Sequence, residues 1–370
     1  VDTDLLVLVK EQVQMIDIKW YQAIWPHKRQ LMDGDPIATR EYIEREFNHH
    51  RSKVPVIYNL ETTNSCNMRC KMCPRTTMMT RPVKTMSLPL AKRIIDQLTP
   101  WTAEEWTEWE HFVADKYHVW HDEMSENNFF LYVIPKVIVL HGYGDPLLDP
   151  HMPDIVGYLT KKNIPSYFSC NPANINIGRT LNTFENGLSY IKYSIEAVDD
   201  AKHKAIRGEA SNFWESYRNI VRLLDMKQQH NYPVQIVITM LNLGREGQEE
   251  EYGRLVDAFR DMDVYIYLKS QDQQWYPGQV QTQTQSIHWQ EFCQFPFSSM
   301  TIKSDGLSVE CVEDFNNEIV LGDARTESLY DIWNGEKYEQ FRRDHFNLTP
   351  GIKCMEQCDM TLVGQLLAKG

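Results

Sequence analysis

The chain has 370 residues, 42% of them hydrophobic and 11% aromatic, which excludes disorder and allows more than one small core. Thirty-eight basic against fifty-one acidic residues leave a net charge of −13, which excludes a broad phosphate-binding surface, so no nucleic acid partner is expected. No uncharged apolar run of about eighteen residues occurs and no basic-then-apolar leader opens the chain, so a cytoplasmic protein with no membrane partner is expected.

In chain order, Leu5, Leu6, Val9, Val13 and Ile16, then Trp20, Tyr21 and Trp25, recur at helical spacing and predict an N-terminal helical extension over residues 1–52. A β-branched and aromatic run from Val54 to Thr62 reads as the first strand. Directly after it comes Cys66-Asn-Met-Arg-Cys70-Lys-Met-Cys73. Eight cysteines are too few for a disulfide framework, and their placement matters more than their number: three here, Cys170 alone, and Cys293, Cys311, Cys354 and Cys358 near the end. The CX3CX2C group has no fourth Cys or His within it or downstream before His111, whereas structural zinc and simple ferredoxin clusters take four ligands. Three thiolates on a cubane of four irons leave one iron open to bind and reduce a ligand. The alternative is three buried, inert thiols.

The segment resembles the cluster-binding loop of radical S-adenosylmethionine (SAM) enzymes. The resemblance implies that a 4Fe-4S cluster on Cys66, Cys70 and Cys73 chelates SAM through its open iron and cleaves it. The product is a 5'-deoxyadenosyl radical that abstracts hydrogen from substrate, and the electron comes from an external reductant such as flavodoxin or ferredoxin. Cys73-Pro74-Arg75 is similar to members that carry a second cluster. Met72 stands where many members place an aromatic residue beside the adenine.

Further strands are expected near Lys136 to His141, Pro165 to Ser169, Tyr190 to Ile195, Val234 to Thr239 and Val264 to Leu268. With the first they make an α/β partial (β/α)6 barrel over residues 53–272, whose chemistry belongs at the carboxyl ends of the strands. Before the second strand, Trp101, Trp106, Trp109 and Trp120 lie in an acidic insertion over about residues 100–130, expected at the opposite, amino-terminal face as extra packing or a partner surface. After the second strand, Gly142-Tyr143-Gly144-Asp145-Pro146 is similar to the family's SAM-binding turn, with glycines for close backbone approach and Asp145 as an acceptor for an ammonium. The resemblance also implies SAM contacts from Ser194, Glu196, Arg207 and Thr239. Cys170, ending the third strand, is either a packed thiol or a hydrogen donor to a substrate radical.

The Gln-rich run from Gln271 to Gln285 reads as a linker. Over residues 286–370 the spacing Cys293, Gly306, Cys311, then Cys354 and Cys358, with a hairpin turn at Gly306, resembles the SPASM and twitch auxiliary-cluster modules. Four cysteines would saturate one 4Fe-4S cluster in this small α+β module, leaving it to pass electrons; structural zinc is the alternative. The implied function is a radical SAM oxidoreductase that oxidises a C–H/alcohol of a sugar or aminocyclitol, Glu61 or Lys269 taking the hydroxyl proton. The alternatives are an epimerase of a sugar or peptide residue using Cys170, or an enzyme that cross-links a peptide. An electron-transfer protein without SAM chemistry does not account for the turn at Gly142.

Overall fold

The computed structural model describes residues 13–32, 40–121, 124–173, 175–269, 293–347 and 349–352. Six strands run parallel in the order of the chain: β1 (Ile57–Leu60), β2 (Ile138–Val139), β3 (Ser166–Cys170), β4 (Tyr190–Ser194), β5 (Gln235–Leu241) and β6 (Val264–Lys269). Helices connect them, such as Met152–Lys161, Ile177–Glu185, Phe213–His230 and Gln248–Ala258. This is the expected open (β/α)6 arrangement, and the sheet does not close on itself.

The C-terminal module continues the barrel's sheet. β7 (Met300–Ile302) pairs parallel to the free edge of β1, and β8 (Leu307–Val309) and β9 (Val320–Asp323) follow antiparallel, so the sheet has nine strands in the order β6-β5-β4-β3-β2-β1-β7-β8-β9. The exposed edge of β1 would otherwise carry unpaired backbone groups, and β7 covers it. Gly306, with φ +88°, makes the turn between β7 and β8, where an added Cβ would also press on Arg325 Cγ at 2.8 Å.

Pleating sorts the strand residues into two layers. Ile138, Phe168, Ile191, Ile236 and Met300 face the helices in one large core. Val139, Tyr167, Val237 and Tyr267 line the lumen, where Phe129 and Val133 pack against them. Those two residues come from the π-turn that ends the acidic insertion, and the Phe129 ring packs on Tyr167 and Tyr265, the second residues of β3 and β6, as well as on Tyr267. They therefore plug the amino-terminal end of the barrel.

The insertion helix Ala103–Tyr117 opens with a capping box between Thr102 and Glu105. Its buried Trp109 and Tyr117 pack on Tyr21 and Trp25 of α1 (Ile18–Met32). α1 pairs with α2 (Arg40–His50), where Trp20 Nε1 donates to the Phe47 carbonyl at 2.9 Å. The helical reading of the first segment fails at its described end: Val13 bridges Leu98 and Gln14 bridges Val56, both parallel, and the helix begins only at Ile18. Val13, Met15 and Asp17 are buried in alternation, a period of two that short apolar runs do not distinguish from a helical one. Among the described residues no helix is long and apolar enough to cross a membrane.

Candidate functional site

The loop holding the first three cysteines leaves the carboxyl end of β1 and is fixed by bonds between its side chains and its backbone. Asn64 Nδ2 donates to Pro82 O at 2.9 Å, its Oδ1 accepts from Lys84 N at 2.6 Å, and its carbonyl accepts from Arg75 Nε at 2.8 Å. Thr76 Oγ1 closes onto the Cys70 carbonyl at 2.8 Å. The loop then docks on the end of the helix Asp200–Arg207, with Arg69 N and Lys71 N donating to the Arg207 and Ile206 carbonyls at 3.2 and 2.9 Å. Gly208 (φ +93°) ends that helix, and a Cβ there would stand 3.0 Å from Arg69 Cβ.

This docking brings the guanidinium of Arg207 to the thiols. Burial works against its charge, but Cys70, Glu196, Cys66 and Cys73 around it hold its pKa above the usual range. Arg207 Nη1 binds Glu196 Oε1 at 2.8 Å, while its Nε is buried with no partner. Burial raises the Cys66 thiol, and burial with the neighbouring Cys70 pushes Cys73 up to about 12. Their sulfurs are not all within 4.8 Å of one another, and among the described residues only His27, Glu46 and His50 form such a group. Thiolates sharing one zinc lie about 3.8 Å apart, so the three sulfurs do not stand at the spacing of one shared zinc ion.

The Gly142–Pro146 turn lies against this loop. Asp145 N donates to Ser65 O at 2.7 Å, and a Cβ on Gly144 would sit 2.1 Å from the Thr63 carbonyl oxygen. A Cβ on Gly142 would meet Glu61 Oε2 at 2.4 Å. The glycines are thus required by contact with the protein's own chain, not only by approach to a ligand. Asp145, raised to about 6 by burial, already accepts from Leu147 N at 3.0 Å and, more weakly, Asn171 N at 3.4 Å. Asn171 has the opposite condition: its amide is buried and neither Nδ2 nor Oδ1 has a partner within the protein. A buried amide in that state costs about 1–3 kcal/mol unless a ligand or water satisfies it, so Asn171 and the Arg207 Nε together offer donors and an acceptor to a polar guest.

Ser194 pairs in register with Thr239 at the ends of β4 and β5. Glu196 just beyond is buried, accepting from Leu241 N at 2.7 Å as well as from Arg207. Met72 lies half-buried in the cysteine loop. Tyr143 points instead toward the C-terminal module, where its hydroxyl donates to Glu313 Oε2 at 2.7 Å and its ring lies 5.9 Å from Phe315. Cys170 shares the helix-facing pleat with Phe168 and is buried, which drives its thiol pKa far above the usual range.

Glu61 is not a free proton acceptor. Its Oε2 accepts from Arg81 Nη2 at 2.6 Å and Tyr143 N at 3.1 Å, and its Oε1 from Ser304 N at 3.1 Å. Burial opposes its charge, yet Arg81 and Lys303 hold its pKa below the ordinary value. It ties the barrel, the turn and the C-terminal module together. Lys269 ends β6, half-buried, in the same pleat as Tyr265 and Tyr267. Sequence reasoning also missed His141, whose Nδ1 accepts from Ser169 N at 3.1 Å and which burial and Lys192 push down to about 3, so the ring is neutral.

Of the later cysteines, Cys293 is half-buried and Cys311 buried, its sulfur accepting from Glu313 N at 3.3 Å. Cys354, Cys358 and the Gln271–Gln285 run lie outside the described residues.

Residues 293–359 match the SPASM family, an iron-sulfur cluster-binding domain. No curated protein matches the chain in sequence. Among solved structures, the chain is similar to Streptococcus suis SuiB bound to S-adenosylmethionine, 11% identical over 90% of this chain and 75% of that one, with a TM-score of 0.50. Looser likenesses connect it to BtrN in complex with AdoMet and 2-DOIA (16% identity, 78% and 87% of the two chains, TM-score 0.45) and to native anSMEcpe with bound AdoMet and the Cp18Cys peptide (10%, 78% and 82%, TM-score 0.48). With its three-cysteine loop on the first strand of an open parallel barrel and its C-terminal match, the chain has the radical SAM fold and carries a C-terminal module of the SPASM family.

Proposed function

We propose that the chain cleaves SAM reductively and oxidises an alcohol carbon of a small molecule of the sugar or aminocyclitol type. The observation that carries this reading is the gathering of Cys66, Cys70 and Cys73 around Arg207, whose Nε, like the Asn171 amide, is buried without a partner. Cys66, Cys70 and Cys73 would hold one 4Fe-4S cluster and Cys293, Cys311, Cys354 and Cys358 a second. Loaded with SAM, the first would supply one-electron reductive chemistry at the carboxyl end of the barrel, and the second would serve as an electron acceptor.

The protein's own residues do the rest. Because burial keeps Cys66 and Cys73 protonated, loading of the site releases protons, and Arg207 offsets part of the thiolate charge that replaces them. Asn171, Glu196, Ser194 and Thr239 form the polar rim in which SAM would be oriented. Oxidation of the alcohol removes one hydrogen atom, one proton and one electron. Glu61 is held by Arg81, and Lys269 is assigned the proton from its place at the carboxyl end of β6. Epimerisation would need the Cys170 thiol, which is buried in the main core within reach of the charges of Asp145 and Arg207.

The test is an anaerobic incubation of reconstituted protein with SAM, reductant and candidate sugars in deuterium oxide. A product lighter by two mass units supports oxidation. An isomer carrying one deuterium, abolished by Cys170→Ala, overturns it.

A further inference from the structure

A second group of metal-ligating side chains lies outside the barrel, in the helical pair α1 and α2. His27 projects from α1, and Glu46 and His50 stand one turn apart on α2. His27 Nε2 is 3.4 Å and His50 Nε2 3.6 Å from the same oxygen, Glu46 Oε2, and one ligand atom from each residue lies within 4.8 Å of the other two. Both gaps exceed an ordinary hydrogen bond. They match the ligand spacing around a tetrahedral ion, since two donors at 2.0–2.1 Å from zinc are about 3.4 Å apart.

The far nitrogen of His27 is held as well. Tyr42 Oη lies 2.9 Å from His27 Nδ1, which fixes the ring with Nε2 turned to Glu46. A hydrogen bond on the far nitrogen is the usual way a ligating imidazole is oriented. The His27 and His50 rings lie 28° from parallel with centroids 6.2 Å apart, and the three side chains are 18%, 27% and 33% exposed in the order His27, Glu46, His50, so solvent reaches the site.

We propose that His27, Glu46 and His50 bind one divalent transition-metal ion, with zinc the best match and water completing the coordination. Two imidazoles and a carboxylate suit zinc, whereas calcium and magnesium take oxygen ligands. The ion would staple α1 to α2. α2 reaches further, since Glu44 Oε1 lies 2.8 Å from His345 Nδ1 on the helix Glu336–Phe346, so the staple bears on how the N-terminal pair seats against the C-terminal region.

The site is independent of SAM cleavage, so its test does not depend on that reading. The full chain, as isolated and after cluster reconstitution, is dialysed against buffered zinc, and zinc and iron are counted together. Wild type should retain one more zinc per chain than the double variant His27→Ala/His50→Ala, with iron equal in both. Glu46→Gln should lose the same zinc, and Tyr42→Phe should weaken its binding about tenfold. Zinc X-ray absorption should show nitrogen and oxygen at about 2.0–2.1 Å for that ion. Equal zinc in wild type and double variant overturns the proposal, leaving Glu46 as an ion-pair partner only. A sulfur shell on the zinc that the double variant loses overturns it as well. If the double variant unfolds, Glu46→Gln and Tyr42→Phe carry the same two outcomes.

Discussion

The two ends of the barrel are built from the same strands and differ within two residues along one pleat. On the lumen side the chain passes from Val139, which ends β2, to His141 just beyond, while β3 passes from Tyr167 to Ser169 and β5 from Val237 to Thr239. The early positions close over Phe129 and Val133 in an apolar plug. Beyond the late ones, at the strands' carboxyl ends, come Asn171, Glu196 and the loop of three thiols beside Arg207, where the Asn171 amide and the Arg207 Nε are buried without partners. Polar groups left open in this way cost stability, and the plug at the other end offsets that cost. Stability and chemistry are therefore divided along the strand axis.

The largest effect expected from this division is at the carboxyl end. Replacing Cys66, Cys70 and Cys73 together by Ala should abolish 5'-deoxyadenosine formation and leave roughly half the iron after reconstitution, the share of the C-terminal cluster. If 5'-deoxyadenosine persists, the site is misassigned. At the plug, Phe129→Ala removes a fully buried ring and should cost about 4 kcal/mol of unfolding free energy by denaturant titration. Turnover per folded molecule should stay at the wild-type level. A parallel fall in both would show that the ends are not separable.

How much of this was legible beforehand follows from how local each signal is. Eight residues carry the whole cysteine triad, and the strand before it is a plain β-branched run, so both could be read without a structure. Arg207 and Glu196 entered only through the family resemblance, which directs attention to residues just beyond the fourth strand. The Glu61 contacts were not, because Ser304 is 243 residues away and Arg81 follows in a loop with no periodicity. The same holds for β7, whose three residues acquire meaning only on the open edge of β1. Asn171 follows Cys170 directly after the third strand, and nothing in its sequence neighbourhood singles it out. Its unpartnered amide is a property of the packed structure and has no mark in the sequence.

The Glu61 tie gives a sharper, smaller test of the carboxyl end. Arg81→Met should cost about 3 kcal/mol at pH 7, because it leaves a buried carboxylate short of its main partner. Glu61 has a depressed pKa in the folded protein, so the stability it contributes is present above its unfolded pKa and is lost as pH falls through the folded value. In the variant burial dominates and Glu61 takes up a proton at higher pH. The stability difference between wild type and Arg81→Met should therefore shrink as pH is lowered from 7 toward 4. A difference independent of pH would mean that the loss comes from the Arg81 Nε bond to the Phe315 carbonyl at 2.8 Å and not from the ion pair.

The smallest expected effect belongs to Tyr265, at the start of β6. Its hydroxyl accepts from Ser125 N at 3.1 Å and lies within donor reach of Ser125 O at 2.8 Å and Asn128 Oδ1 at 3.0 Å. One proton can serve only one of those oxygens at a time, so Tyr265→Phe removes one accepted and one donated bond. Asn128 remains held through its Nδ2 on the Trp120 carbonyl, and the short turn Glu126–Asn128 keeps its Ser125 cap at 3.1 Å, so the plug should stay seated. The loss should then be about 1–2 kcal/mol, the range for a pair of buried hydrogen bonds with one partner left unsatisfied. Amide exchange locates it: protection should fall at Ser125 and its neighbours and hold at Leu241 N, which Glu196 accepts at the other end of the barrel. Loss of protection at both ends would mean that the plug positions the site, and that the division along the strands is one of composition alone.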